Sequence, residues 1–194
     1  MRATRGGCKE KRTWGSIMIA GMIMRGASVA AVLAGLASPA VADWQYTKWG
    51  DTLQQVLVHT DKGVRPTTDA ERDFRSSPSS GDALATSAHK VADMEIATFF
   101  FFKGVNLSRV QMEIPTPDAG DEVLANLEAQ YGAPYFFSET IKPSADTVCS
   151  TRKAKWHSRE YANNILYTIM YCGERIVYGR VIYTKILTPA ESGL

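Results

Sequence analysis

Cysteine and histidine are scarce: the 194-residue chain holds three of each. Cys8, Cys149 and Cys172 form no Cys-x-x-Cys, which excludes the usual thiol-exchange motif. His59, His89 and His157 lie too far apart for His-x-x-x-His or Cys-x-x-His spacing, so no metal site is indicated. His59-Thr60-Asp61 could offer two ligands, but a solvent-facing histidine at a helix end is the reading preferred. There is no Gly-x-Ser-x-Gly elbow, no phosphate-cradling glycine loop and no dinucleotide fingerprint. No cofactor is therefore expected, and no catalytic residue is assigned. Glu95 and Glu113 could sit as neighbouring carboxylates for acid–base work, or simply form part of a solvated sheet face.

Long apolar runs are missing too. The longest uncharged stretch, 26–42, is rich in Ala, Gly and Ser. It falls at or below the ~17–25 residues of a spanning helix. Arg25 separates it from "IMIAGMIM" (17–24), and an arginine at mid-membrane is costly. With Arg2, Arg5, Lys9, Lys11, Arg12 and Arg25 ahead of "GASVAAVLAGLA" and "SPAVA", the pattern is that of a Sec-type signal peptide cleaved between Ala42 and Asp43. A start at Met22 or Met24 would give a leader of ordinary length, leaving Cys8 outside any folded protein. Lys11-Arg12 lacks the twin arginine of folded export. Residues 43–194 then form one domain in the periplasm or outside the cell, with no stable membrane span.

An excess of base is likewise absent from that domain. The whole chain has 22 basic and 20 acidic residues, and the leader takes 6 of the former and 1 of the latter. The mildly acidic remainder argues against general nucleic-acid binding, which needs a basic patch. In an oxidising compartment Cys149 and Cys172 read as a disulfide, closing a hairpin whose turn centres near Glu160–Tyr161.

What is present is regular patterning. "WGDTLQQVLVHT" (49–60) opens a helix in which Thr52 and Gln55 have capping-box spacing. Residues 61–82, broken by Pro66 and Pro78, read as a mobile surface loop with a short helical turn near 68–75. Strands are expected at 83–92, 94–103 and 107–114. In the second, Met94, Ile96, Thr98, Phe100 and Phe102 face one way, with Phe99 and Phe101 opposite. Thr116, Pro117 and Gly132 bracket a helix over 116–132. Strands follow at about 146–157, 164–172 and 175–186. The expected fold class is α+β, an antiparallel sheet with two helices on one face in the order helix-strands-helix-strands.

The start "DWQYTKWGDTLQQV" (43–56), a Trp-x-Tyr-Thr-x-Trp-Gly-x-Thr-x-x-Gln-Val pattern, resembles that of a group of small exported proteins of proteobacteria with no assigned activity. A Phe-rich strand and hairpin (94–114), a Leu-x-x-x-Tyr-Gly-x-Pro helix end (127–134) and a Trp-bearing strand near 156 extend the resemblance. Asp51 stands where that group has Met. The element order is also similar to that of small outer-membrane assembly lipoproteins and secreted β-lactamase-inhibitor proteins, which act by binding other proteins. That similarity transfers no residue roles.

Trp44, Tyr46 and Trp49 crowd the start of the domain, where large side chains tie down a chain end. Two helices cover one sheet face. The other is either closed by 61–82 or left open as an aromatic surface of the kind that marks binding sites. The expectation is a non-enzymatic Gram-negative envelope module that binds another envelope or extracellular protein through Phe99, Phe101, Trp156, Tyr167 and Tyr178. The alternative is a small-molecule or lipid carrier with a pocket between sheet and loop. An envelope hydrolase is a third reading. The oligomeric state is not legible.

Overall fold

The computed structural model describes residues 43–91, 93–143 and 147–187. The expected leader, with its expected cleavage between Ala42 and Asp43, falls on residues 1–42, outside the described residues.

The first elements are short and tightly fastened. Strands β1 (Asp43–Trp44) and β2 (Thr47–Lys48) pair across a two-residue turn. Thr47 is fully buried, and its hydroxyl donates to the Trp44 carbonyl at 3.1 Å. Trp49 donates its indole N–H to Asn163 at 2.8 Å. The aromatic segment 44–49 packs against the core.

Helix α1 spans only Leu53–Leu57, with the Thr52/Gln55 capping box in place. It is shorter than the expected 49–60 because Val58 points into solvent and a 3-10 turn, Thr60–Lys62, takes over before the left-handed Gly63. Segment 61–82 is more ordered than a loop, and a helix stands where a helical turn was expected near 68–75. It carries β3 (Arg65–Pro66) and helix α2 (Asp69–Arg75), the latter opened by a Thr68/Glu71 capping box.

Seven long strands follow: β4 (Asp82–Val91), β5 (Met94–Lys103), β6 (Asn106–Glu113), β7 (Phe136–Pro143), β8 (Val148–Ser158), β9 (Asn163–Cys172) and β10 (Arg175–Lys185). Helix α3 (Pro117–Tyr131) lies between β6 and β7, capped by Thr116 and closed by Gly132 at φ 75°. All eight strands from β3 onward form one antiparallel sheet in the order β3-β4-β5-β6-β10-β9-β8-β7. Two meanders therefore meet at a seam where the last strand of each pairs with the last of the other.

The main core lies between the sheet and helices α1 and α3. It is built from Val56, Ile96, Phe100, Val110, Val123, Leu127, Trp156, Ile165, Tyr167 and Val181 among others. Helix α3 comes close because residue 120 is glycine. A Cβ there would lie 2.4 Å from Ile169 Cδ1, and the Tyr167 hydroxyl donates to the Gly120 carbonyl at 3.2 Å. Helix α2 sits on the opposite face, where Ala83, Phe99 and Phe101 form a second, small cluster. The helices therefore cover both faces, not one. Phe99 and Phe101 are both buried: Arg75 of α2 lies over Phe99, and Arg109 of β6 lies over Phe101. Among the described residues no helix is long and apolar enough to cross a membrane.

Candidate functional site

Antiparallel register assigns every strand residue to a face, since directly paired residues point the same way. One row across the sheet runs Phe136–Lys155–Leu166–Ile182–Gln111–Phe99. A second runs Ser138–Lys153–Thr168–Arg180–Glu113. A third, at the sheet end, runs Lys142–Cys149–Cys172–Arg175. All three lie on the face that α2 covers over the first meander. Over β7–β10 no element of the described residues covers it.

Four of the five residues expected on an open surface are in fact enclosed. Phe99 is 2% exposed and Phe101 1%. The Arg75 guanidinium lies 4.0 Å from the Phe99 ring, and Arg109 lies 5.1 Å from that of Phe101. Trp156, 3% exposed, and Tyr167, 0%, point to the helix side, where Trp156 donates to the Gly132 carbonyl at 2.8 Å. They belong to the core because β8 and β9 present their even- and odd-numbered residues respectively to α3. Only Tyr178, 40% exposed, stands on the open face. The disulfide is formed: Cys149 and Cys172 face each other with Cα atoms 4.0 Å apart, on this same face.

What the open half carries instead is positive charge. Lys142, Lys153, Lys155, Arg175 and Arg180 share it, and among the described residues of β7–β10 no acid faces the same way. Among the described residues none of the five has a carboxylate within ion-pair distance. Arg180 stands opposite Glu113 in the register, but Arg75 occupies both Glu113 oxygens, at 2.9 and 2.7 Å. Glu113 is thus one half of an ion pair and not of a carboxylate dyad with Glu95. Lys155 lies 5.2 Å from the Phe136 ring and Arg180 5.9 Å from that of Tyr178, so each aromatic side chain is flanked by a cation.

The seam adds a further guanidinium. Arg109 reaches Ser80 at 3.3 Å and bonds Gln111, while its buried Nε has no partner. Burial, and then the nearby charge of Arg180, push it below the ordinary arginine value. A groove of about 460 Å³ opens here, lined by Phe74, Arg109, Gln111, Tyr178 and Arg180 among others. Between the sheet and segment 61–82 there is a smaller opening of about 330 Å³, lined by Arg65, Glu71, Thr86, Ser87, Glu95 and Phe99 among others. Sequence reasoning passed over the cations because lysines alternating along an exposed strand look like any solvated face. Their shared side emerges only once four strands are set in register.

Compared with protein-family models, with curated proteins and with solved structures, the chain has no match.

Proposed function

We propose that the chain is an exported, non-enzymatic envelope protein that binds an acidic partner protein through the uncovered half of its sheet. The observation that carries this reading is the row-by-row accumulation of Lys142, Lys153, Lys155, Arg175 and Arg180 on one face, where the described residues of β7–β10 place no acid and the Glu113 opposite Arg180 is taken up by Arg75. The domain is acidic on balance, so this is a local inversion of its charge. Such a face attracts acidic surfaces and repels like-charged ones, which gives both encounter rate and selectivity. Tyr178 and Phe136 add the aromatic area that anchors protein interfaces. Export to the periplasm, or beyond it, is supported by the leader pattern of 1–42, and the Cys149–Cys172 disulfide suits an oxidising compartment.

The test is crosslinked capture of partners from a native envelope extract, with the Lys153→Glu/Arg180→Glu double variant in parallel. One dominant acidic protein is expected. It should be lost with the variant, and its binding should weaken as salt is raised, while the melting temperature of the variant stays unchanged. A partner retained by the double variant, or one indifferent to salt, would overturn the proposal.

A further inference from the structure

On the other face of the sheet, α3, the β1–β2 turn and β10 border a cavity of about 290 Å³ that is open to solvent on one side. Its walls are aromatic: Trp44, Tyr131, Tyr161 and Tyr183, with His89 beside them. Trp44 and Tyr183 meet edge to face at 6.0 Å, and Tyr131 and Tyr161 do so at 6.1 Å. Val91, Met112, Val123 and Leu127 complete the apolar lining, and the amides of Gln45, Asn126 and Gln130 supply its polar groups. Among the described residues its lining contains no lysine, arginine, aspartate or glutamate.

Three of the titratable groups that line it are biased toward their neutral forms. Burial pushes the Tyr131 phenol up to about 12, with the neighbouring Tyr161 adding to the effect. Burial raises Tyr183 further, against a lowering by its hydrogen bond with Trp44. His89 is pushed below its ordinary value by burial, which favours the uncharged ring. A charged guest would therefore lose its hydration and find no counter-charge.

A separate observation points to the same place. Among the described residues two non-glycine residues have positive φ, Gln45 at 54° and Ala162 at 42°. Gln45 lines the cavity, and Ala162 directly follows Tyr161, which lines it from the other side. Left-handed backbone at non-glycine residues is costly, and it collects at ligand clamps and switch regions. Here it sets Gln45 beside His89, its amide nitrogen 3.2 Å from Nδ1, and places Tyr161 against Tyr131. On α3, Asn126 and Gln130 are exposed, one turn apart.

We propose that this cavity binds an uncharged small molecule built on one or two fused aromatic rings and bearing a hydrogen-bonding edge. The rings would pack between Trp44–Tyr183 and Tyr131–Tyr161, and the edge would meet the amides of Gln45, Asn126 and Gln130. The volume lies at the bottom of the ~300–1,000 Å³ range of ligand pockets, too small for a lipid chain or a nucleotide. The site is on the opposite face from the one assigned to the partner protein and does not depend on that assignment.

The test is a ¹H–¹⁵N titration of the full chain with indole, and separately with indole-3-acetate as its charged congener. The Trp44 Nε1–H and the side-chain amides of Gln45 and Gln130 serve as reporters. Saturable shifts confined to the lining are expected with indole, and binding about tenfold weaker with the acetate. Asn126→Trp fills the mouth from an exposed helical position, and Tyr161→Ala removes one wall. Each should weaken indole binding about tenfold while the melting curve stays cooperative. No shift at Trp44, equal binding of the charged congener, or full binding by both variants would overturn the proposal.

Discussion

Gln45 holds φ 54° in the turn between β1 and β2, a conformation that costs an L-residue roughly 1–2 kcal/mol. Glycine adopts it freely but gives up more freedom on folding, so Gln45→Gly should gain only about 0.5 kcal/mol in denaturant unfolding. The same substitution removes the amide from the cavity mouth, so a stability gain would come with weaker indole binding. Phe99 has the opposite character. It is enclosed beneath Arg75, whose guanidinium both stacks on the ring and grips Glu113. Phe99→Ala should therefore lose about 3–5 kcal/mol in urea unfolding. A loss of a few tenths would mean that α2 does not shield this face.

Helix α2 is short, and its Glu71 has two tasks. The carboxylate accepts from Arg65 at 2.9 and 3.0 Å and from the Thr68 backbone N–H at 2.8 Å. These bonds, the one from Arg65 first, hold it at about 2 against an ordinary 4.5. A carboxylate whose folded value is depressed contributes stability that is present above the unfolded value and is lost as pH falls toward the folded one. Between pH 4.5 and about 2, stability should therefore decline less in Glu71→Gln than in the parent chain. Arg65 is more than half exposed, so solvent screening keeps the difference small. The β8–β9 hairpin offers a larger effect. Its disulfide spans 23 residues, and loop entropy assigns about 3 kcal/mol to such a closure. Melting with and without reductant should show that loss, and mass spectrometry of the oxidised chain should find two hydrogens fewer.

These elements also indicate what the chain made legible. Met94–Lys103 was readable because it is a run rich in apolar and aromatic residues that stops at the Lys103–Asn106 turn, and α3 because Thr116, Pro117 and Gly132 mark its limits. Strand β7 was missed. It lies at the sheet edge with nearly every residue exposed, so burial leaves no alternating imprint on its sequence. The facing of β8 and β9 was equally hidden. Leu166 and Met170 on one side compete with Ile165, Tyr167 and Ile169 on the other, and only the close approach at Gly120 shows which side α3 takes. That ambiguity is why Trp156 and Tyr167 were expected outside and found within.

At the scale of the whole molecule the two faces divide the work by charge. The helix side offers a neutral, aromatic cavity. The far side offers an open field of cations, one half of it closed by α2. The two proposed activities are therefore separable: Lys153→Glu/Arg180→Glu should leave indole shifts unchanged, and Tyr161→Ala should leave partner capture unchanged. The seam between β6 and β10 bears on how such a molecule comes to exist. The first meander is finished early but keeps one long edge bare until Arg175–Lys185, the last described strand, fits between β6 and β9. Contacts so distant along the chain form late, and until they do, two strand edges are open to wrong neighbours. Arg109 and Glu113 on β6 act meanwhile as charged guards of its edge. A chain interrupted before Arg175 should aggregate rather than half-fold, because the strand that arrives last occupies the middle.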